Sequence, residues 1–544
     1  MTTAVYWLKR DFRLADNPAL TAALRDHDTV TPVFILEPSA LAAPETSVLH
    51  VHAQTDAFNG LYQALRDQLS TDTAPLGFSH REVIDTFDQL YAAAPFTTLI
   101  SHQEIGGNRT FDRDKAVATW CAEKGVDWQE HQQTGVFRGG VDRDRRHRGW
   151  EQFYQSQLLP VPKDLYKLKI LDEYNFILKL PALPVPPKAS KPLELPTDKW
   201  MIAPELLGKC HEGPLAVEQF DGATSSGLRV PDVSKVQREY VQPVSERAAE
   251  TTLASFLNER GLDYSKGMSS PNTAFYRCSR LSVHLAWGTI SGRTVYQRTQ
   301  AHIEALKEST AKNAGTWRKN LRSFLSRLHW RDHFTQRLET EVEMEHRPLN
   351  PNFWELKLEN SDELYEAWIT GRTGFPMVDA CIRCMQTTGY INFRMRAMLT
   401  SVAAHMLHLD FRRIDKPMAR LYTDYHPGIH LAQLQMQAGM VGINTLRTYS
   451  PEKQFLDHDP EAEFVHRWVP ELRGYTAKEI SKRDLSVGLG DYPAAVVDRT
   501  PRVRAYKKLI GDLKFREGGR EITEKVYAKH GSRRGPRRKP KKAS

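Results

Sequence analysis

The sequence predicts an α/β protein in which an amino-terminal doubly wound parallel-sheet (Rossmann-like) domain is followed by a large all-helical domain. Three observations predict this. Short apolar runs alternate with amphipathic helical segments over roughly residues 1–135. From about residue 230 the apolar spacing turns helical, with no convincing strand to the end. Between them lies a stretch with six prolines from Pro181 to Pro196, the composition of a semi-rigid linker. At 544 residues the chain is too long for one ordinary core.

Taken in order, Ala4-Val5-Tyr6-Trp7-Leu8 and Val30–Leu36 read as buried strands. Asn17-Pro18 starts a helix between them. Strands near Leu76-Gly77-Phe78 and Thr98-Leu99-Ile100 alternate with helices Phe58–Leu69 and Asp112–Lys124. No glycine-rich fingerprint follows the first strand, which argues against a dinucleotide site of the NAD type. Residues 136–230 form the interdomain region, and its cluster Asp142–Arg148 reads as a solvated face. The helical domain, 231–510, is read as Glu246–Asn258, Leu281–Ile290, Thr294–Lys307, Trp317–Glu339, Asp362–Ile369 and Ala397–Phe411.

The net charge is +9, and eight Lys or Arg with no acid lie from Lys529 onward, which leaves 9 − 8 = +1 for the rest. Residues 511–544 are therefore expected to be a basic, disordered tail, either touching phosphates or simply solvated. Five scattered cysteines argue against a disulfide framework. Cys381-x-x-Cys384 has no second pair of ligands nearby, so buried small side chains fit better than zinc or iron–sulfur ligands. With no apolar h-region and no run long enough for a bilayer, a monomeric, cytoplasmic protein without membrane contact is expected.

Chemistry-bearing residues concentrate between Arg372 and Tyr449. Thr373-Gly374-Phe375-Pro376-Met377-Val378-Asp379 leads to Gly389-Tyr390-Ile391-Asn392-Phe393-Arg394-Met395-Arg396, then to Asp424-Tyr425-His426-Pro427-Gly428-Ile429-His430 and Arg447-Thr448-Tyr449. Upstream, Arg277-Cys278-Ser279-Arg280-Leu281-Ser282 precedes a helix whose free N–H groups suit a phosphate. Trp330-Arg331 lies on a long helix; its indole is either core or a platform for a base. At the amino terminus Trp7-Leu8-Lys9-Arg10-Asp11-Phe12-Arg13 places charges at the end of a strand, where such folds bind ligands.

In this order the motifs resemble the cryptochrome/photolyase family, from Trp7 to about Leu472. The resemblance implies bound FAD, and a second antenna chromophore of unknown identity in the amino-terminal domain. It places Tyr264, Cys278 (where threonine is usual), Ser279, Leu281, Ser282, Arg331, Arg396, Asp424, His426 and His430 around the flavin. Arg396 and Asp424 match the pair against its ring. His426 replaces an acid there, and His430 matches the residue facing the flavin N5. Trp330, Tyr390, Arg394 and Arg447 match positions facing DNA, and Trp330, Arg396, Asp424 and His430 are the expected catalytic set.

Departures cluster at the lesion pocket. Arg327 stands in place of a glutamate, and a guanidinium cannot accept hydrogen bonds. Phe393 and Ala397 replace an Asn and a Met, while Phe411 and Leu434 fall on electron-transfer tryptophans. The resemblance implies a light-driven, FAD-dependent DNA photolyase that splits pyrimidine lesions by electron transfer. The alternative is a cryptochrome-like blue-light photoreceptor that signals rather than repairs.

Overall fold

The structure is a computed structural model and describes residues 2–139, 143–170, 241–443 and 445–531. The proline-rich run, Cys210 and the tail beyond Gly531 lie outside the described residues. Five parallel strands, β1 (Thr3–Leu8), β2 (Thr29–Ile35), β3 (Gly77–Ser79), β4 (Thr98–His102) and β5 (Asp127–His131), form one sheet in the order β3-β2-β1-β4-β5. The period of two along β1 explains the double winding. Ala4, Tyr6 and Leu8 pack into one apolar cluster with α1 (Pro18–Asp26) and α2 (Val48–Leu69). Val5 and Trp7 pack into another with α3 (Val83–Ala93) and α4 (Asn108–Lys124). Strand β5 escapes sequence reading because it is a polar edge strand.

The second half is helical. A half-buried crossing helix, α5 (Arg143–Gln155), leads toward it, and α6 (Glu246–Asn258), α7 (Ser282–Trp287) and α8 (Gly292–Ala305) precede the long α9 (Ala314–Thr340). A large apolar cluster is then built on α10 (Pro376–Thr388), α11 (Phe393–His405), α12 (Phe411–Arg420) and α13 (Pro427–Gln437). The helix read as Ala397–Phe411 is two helices, broken where His408 takes φ 52°. Cys381 and Cys384 are buried in this cluster, and among the described residues no group of His, Cys, Asp or Glu could hold a metal. Among the described residues no helix is long and apolar enough to cross a membrane.

The expected disordered tail needs correction. Residues 511–530 are largely helical: α14 (Arg499–Lys514) runs through its start, and α15 (Gly519–His530) follows. His530 is buried and its carbonyl accepts from Arg337, while Lys529 pairs with Glu341. The apolar face of this helix, with Val526 buried, outweighs its charge.

Side chains cross the seam between the domains. Glu246 accepts from the Leu14 and Ala15 amides at 2.8 and 2.9 Å, and Arg13 donates to the Gly288 carbonyl at 2.8 Å. Gly288 has φ 70°, and a Cβ there would lie 1.8 Å from the Arg10 carbonyl, so only glycine lets the chains approach. Three donors converge on one short segment. His50 meets the Tyr422 carbonyl at 2.9 Å, the Trp287 indole donates to Thr423 at 2.8 Å, and Arg10 donates to Tyr425 at 3.4 Å. Asp332 on α9 accepts from the Gly135 amide, the Trp150 indole and the Tyr154 hydroxyl at 3.1, 3.0 and 2.7 Å, tying α9 to the crossing region.

Burial holds three histidines neutral, lowering His50 and His405 to about 4 and His284 to about 3. The unfolded chain takes protons that the folded chain refuses, so their contribution is complete above pH 6.5 and is lost as pH falls below it. At pH 5.5 each group costs about 1.4 kcal/mol and the three together about 4 kcal/mol. Urea denaturation at pH 7.5 and 5.5 should show this drop; equal stability would contradict neutral burial.

Candidate functional site

The first turn of α11 and the turn before α13 bring Arg396 and Asp424 together. The guanidinium donates to both carboxylate oxygens at 3.0 and 3.1 Å, and its Nε donates to the Ile391 carbonyl at 2.8 Å. It lies over the Tyr422 ring at 4.2 Å. Burial raises the Asp424 carboxyl, but the Arg396 charge and hydrogen bonds from Arg396 and Ser282 outweigh it and hold the pKa below the ordinary value. The pair is charged on both sides at neutral pH.

Next to the pair, Arg280 adopts φ 60° and lays its guanidinium on the Tyr390 ring at 3.5 Å. Tyr390 hydrogen-bonds the half-buried Cys278 thiol, whose pKa desolvation pushes up. Tyr264 packs against Phe256 and Phe324, and Arg327 hydrogen-bonds its hydroxyl. Leu281 is fully buried, and the hydroxyl of Ser279 accepts from the Leu281 amide at 3.4 Å.

Sequence reading missed Arg260. Its Nε donates to Ser255 at 2.9 Å, its two terminal nitrogens reach the carbonyls of Thr252, Cys278 and Ser279, and no ion pair is formed with it among the described residues. Burial, reinforced by the Arg280 charge, lowers its pKa to about 10. No motif surrounds Arg-Gly-Leu-Asp to signal it. Arg260, Arg280, Arg327 and Arg396 thus border one cluster in which Asp424 is the single carboxylate hydrogen-bonded to any of them among the described residues.

Other expected residues fall elsewhere. Arg331 donates to Asp332 at 3.1 Å and to the Leu285 carbonyl at 3.0 Å. With His426 it lines a small cleft between the domains, beside Arg10 and Glu104. Burial and then the Arg331 and Arg10 charges push the His426 pKa well below its usual value, so its imidazole is neutral. His430 is a correction. Its Nε2 lies 3.1 Å from the Asp415 carbonyl and 3.0 Å from the Asp415 carboxylate, and its ring packs on Tyr422 and Tyr425, so this nitrogen is engaged by Asp415. Trp330 is half-buried and stacks on Phe334 at 5.6 Å, with His333 on its edge. Its ring contacts are with its own helix and not with Tyr390. Arg394 and Arg447 form no ion pair among the described residues; Arg447 is exposed, and the Tyr449 amide beside it donates to Ser401 on α11 at 3.1 Å. Leu434 and Phe411 are core.

A second missed feature is legible in retrospect. Residues 311–331 hold Lys312, Arg318, Lys319, Arg322, Arg327 and Arg331 and no acid. Lys312, Lys319, Arg322 and Arg327 are exposed, giving α9 and its approach a basic outer stripe.

At the carboxyl ends of the strands, Lys9 pairs with Asp114 at 3.1 Å, while Arg113 meets Glu37, Glu104 and Asp114. Asp11 and His102, paired at 2.7 Å, lie with them at the carboxyl ends of β1 and β4, the switch point of the sheet.

Fold and site together define a two-domain protein with a cationic pocket walled by aromatic rings. The Arg280 Nη1 and the Tyr422 hydroxyl are buried without hydrogen-bond partners among the described residues, and such donors fit an anionic, oxygen-rich group such as a flavin diphosphate. Residues 4–148 match the family model DNA photolyase, and residues 324–511 match the FAD binding domain of DNA photolyase. The deoxyribodipyrimidine photo-lyase of Vibrio cholerae serotype O1 is 25% identical over 522 residues, covering 93% of this chain and 99% of that protein. A cryptochrome DASH of Natronomonas pharaonis is 25% identical over 535 residues, covering 93% and 100%. Among solved structures, a class III photolyase from Agrobacterium tumefaciens aligns with TM-score 0.69 at 21% identity over 94% of this chain and 98% of that one. A Synechocystis cryptochrome aligns with TM-score 0.71 at 17% identity over 94% and 99%. The chain belongs to the cryptochrome/photolyase family and carries its FAD-binding domain.

Replacing Arg260 with Met removes the charged donor shared by three carbonyls and should destabilise the helical domain by about 3 kcal/mol. Chemical denaturation of the variant measures this; an unchanged midpoint would mean that solvent already serves those carbonyls.

Proposed function

We propose that the protein is a light-driven DNA photolyase, a carbon–carbon lyase acting on pyrimidine lesions. The observation that carries this reading is the acid-free basic stripe of α9, residues 311–331, together with Arg394 and Arg447, which form no ion pair among the described residues. Exposed Lys and Arg without acidic partners among the described residues suit the phosphates of a duplex, which they position without reading sequence.

The bound flavin supplies a light-absorbing one-electron donor. The chain's own residues make the site for it. Arg396, fixed by Asp424, Ile391 and Tyr422, holds a permanent positive charge at the pocket. Arg280, Arg260 and the segment Cys278–Ser282 offer donors to the diphosphate. An antenna chromophore is supported by the Sulfolobus tokodaii photolyase, whose structure holds two FAD molecules.

A photoreceptor role is the second reading. Arg327 in place of an acceptor and the Arg280 guanidinium on Tyr390 both alter the surface that would hold a lesion. Cryptochrome relatives at similar identity support it equally in fold.

Asp424→Ala leaves Arg396 charged and without its partner, which costs about 3–5 kcal/mol for a buried pair. The purified variant should lose most of its flavin absorbance; full retention would remove the pair from the site. Ultraviolet-damaged plasmid treated with the protein should recover transforming activity under blue light and not in the dark. Equal recovery in both would refute repair and leave the photoreceptor reading.

A further inference from the structure

Sequence reading gives the base-stacking surface to Trp330 and Tyr390, and in the structure one face of each ring is already taken. Arg280 lies on Tyr390 at 3.5 Å with Phe275 against its edge, and Trp330 stacks on Phe334. Phe393, at the first position of α11 and next to Arg394, is by contrast 55% exposed.

The surroundings of Phe393 say what covers it. Asn392, buried just before it, donates to the Met268 and Ser269 carbonyls at 3.0 and 2.9 Å. On its other side the same turn rests on α9, where Asn320 donates to the Leu262 carbonyl at 2.6 Å and accepts from the Ser265 amide at 2.8 Å. Arg327 reaches this turn through Tyr264. Phe393 and α9, the helix that carries the exposed cations, therefore border one turn. Arg394 has its Nε buried without a partner and the His458 imidazole for a neighbour. An apolar peptide would leave these charges unanswered, whereas a nucleic-acid strand supplies both a π-face for the phenyl and phosphates for the guanidinium groups.

We propose that Phe393 is the base-stacking residue of the nucleic-acid face, taking an unpaired base of DNA while Arg394 and the exposed cations of α9 hold the flanking phosphates. This rests on the DNA-binding part of the repair reading. It moves the aromatic contact from the pocket wall to the rim, where the site can meet the base left without a partner beside an extruded lesion.

The test compares the parent, Phe393→Ala and Phe393→Trp on three short DNAs: a fully paired duplex, the same duplex with one mispaired bubble carrying 2-aminopurine, and a duplex with one thymine dimer. Phe393→Ala should bind the bubble about tenfold to a hundredfold more weakly and lose the fluorescence change of the 2-aminopurine, with Trp restoring both. Affinity for the paired duplex should stay within about twofold, because the phosphate contacts remain. Phe393→Ala that binds the bubble like the parent, or that loses equally on bubble and paired duplex, overturns the proposal. If the parent prefers the dimer and Phe393→Ala behaves like it throughout, repair stands and this proposal falls. If the parent ignores the dimer while the bubble effect persists, repair falls and Phe393 keeps its role. A parent that binds none of the three DNAs overturns both.

Discussion

The candidate site depends on the Arg396–Asp424 ion pair, and the pair depends on the seam between the two domains. Asp424 sits in a four-residue segment whose carbonyls at 422, 423 and 425 each accept a side-chain donor. Two of those donors, His50 and Arg10, belong to the amino-terminal domain, and the third, Trp287, lies beneath Arg10 at 4.7 Å. The backbone that presents Asp424 is thus held from outside the helical domain. A buried pair of this kind adds little net stability, because desolvation offsets much of its attraction. Its value is positional: it fixes a charged guanidinium at a set angle, with the Tyr422 ring beneath.

Around that fixed point the electrostatics are one-sided. Arg260, Arg280 and Arg327 bring three further guanidinium groups with no carboxylate hydrogen-bonded to them among the described residues. Arg260 is buried and its pKa is already lowered to about 10, so the fold bears a cost that an anion would relieve. The outer stripe of α9 extends positive charge to the surface. A diphosphate inside and a polyphosphate strand outside are the two anions such an arrangement suits.

Much of this was legible in the sequence, for identifiable reasons. Ser245 and Ser361 are true N-caps, and the helices they start, Glu246–Asn258 and Asp362–Ile369, have the bounds read from sequence. Arg396 and Asp424 stand in ordered motifs and do meet. Strand β5 and the break at His408 were not legible, since one is polar and the other carries no glycine or proline. The partners of His430 and Trp330 were not legible either: spacing does not say which neighbour a half-buried ring will find. Arg260 has no motif at all. The acid-free run 311–331 was readable as charge alone, and Phe393 was readable as a departure but not as an exposed one.

The most direct test of the account is a double-mutant cycle on Arg396→Met and Asp424→Leu, read as the dissociation constant for FAD. If the two side chains act as one charged unit, the double variant will be impaired much less than the sum of the single ones, since neither leaves an unpaired buried charge behind. Strictly additive losses would contradict the claim that this ion pair organises the site.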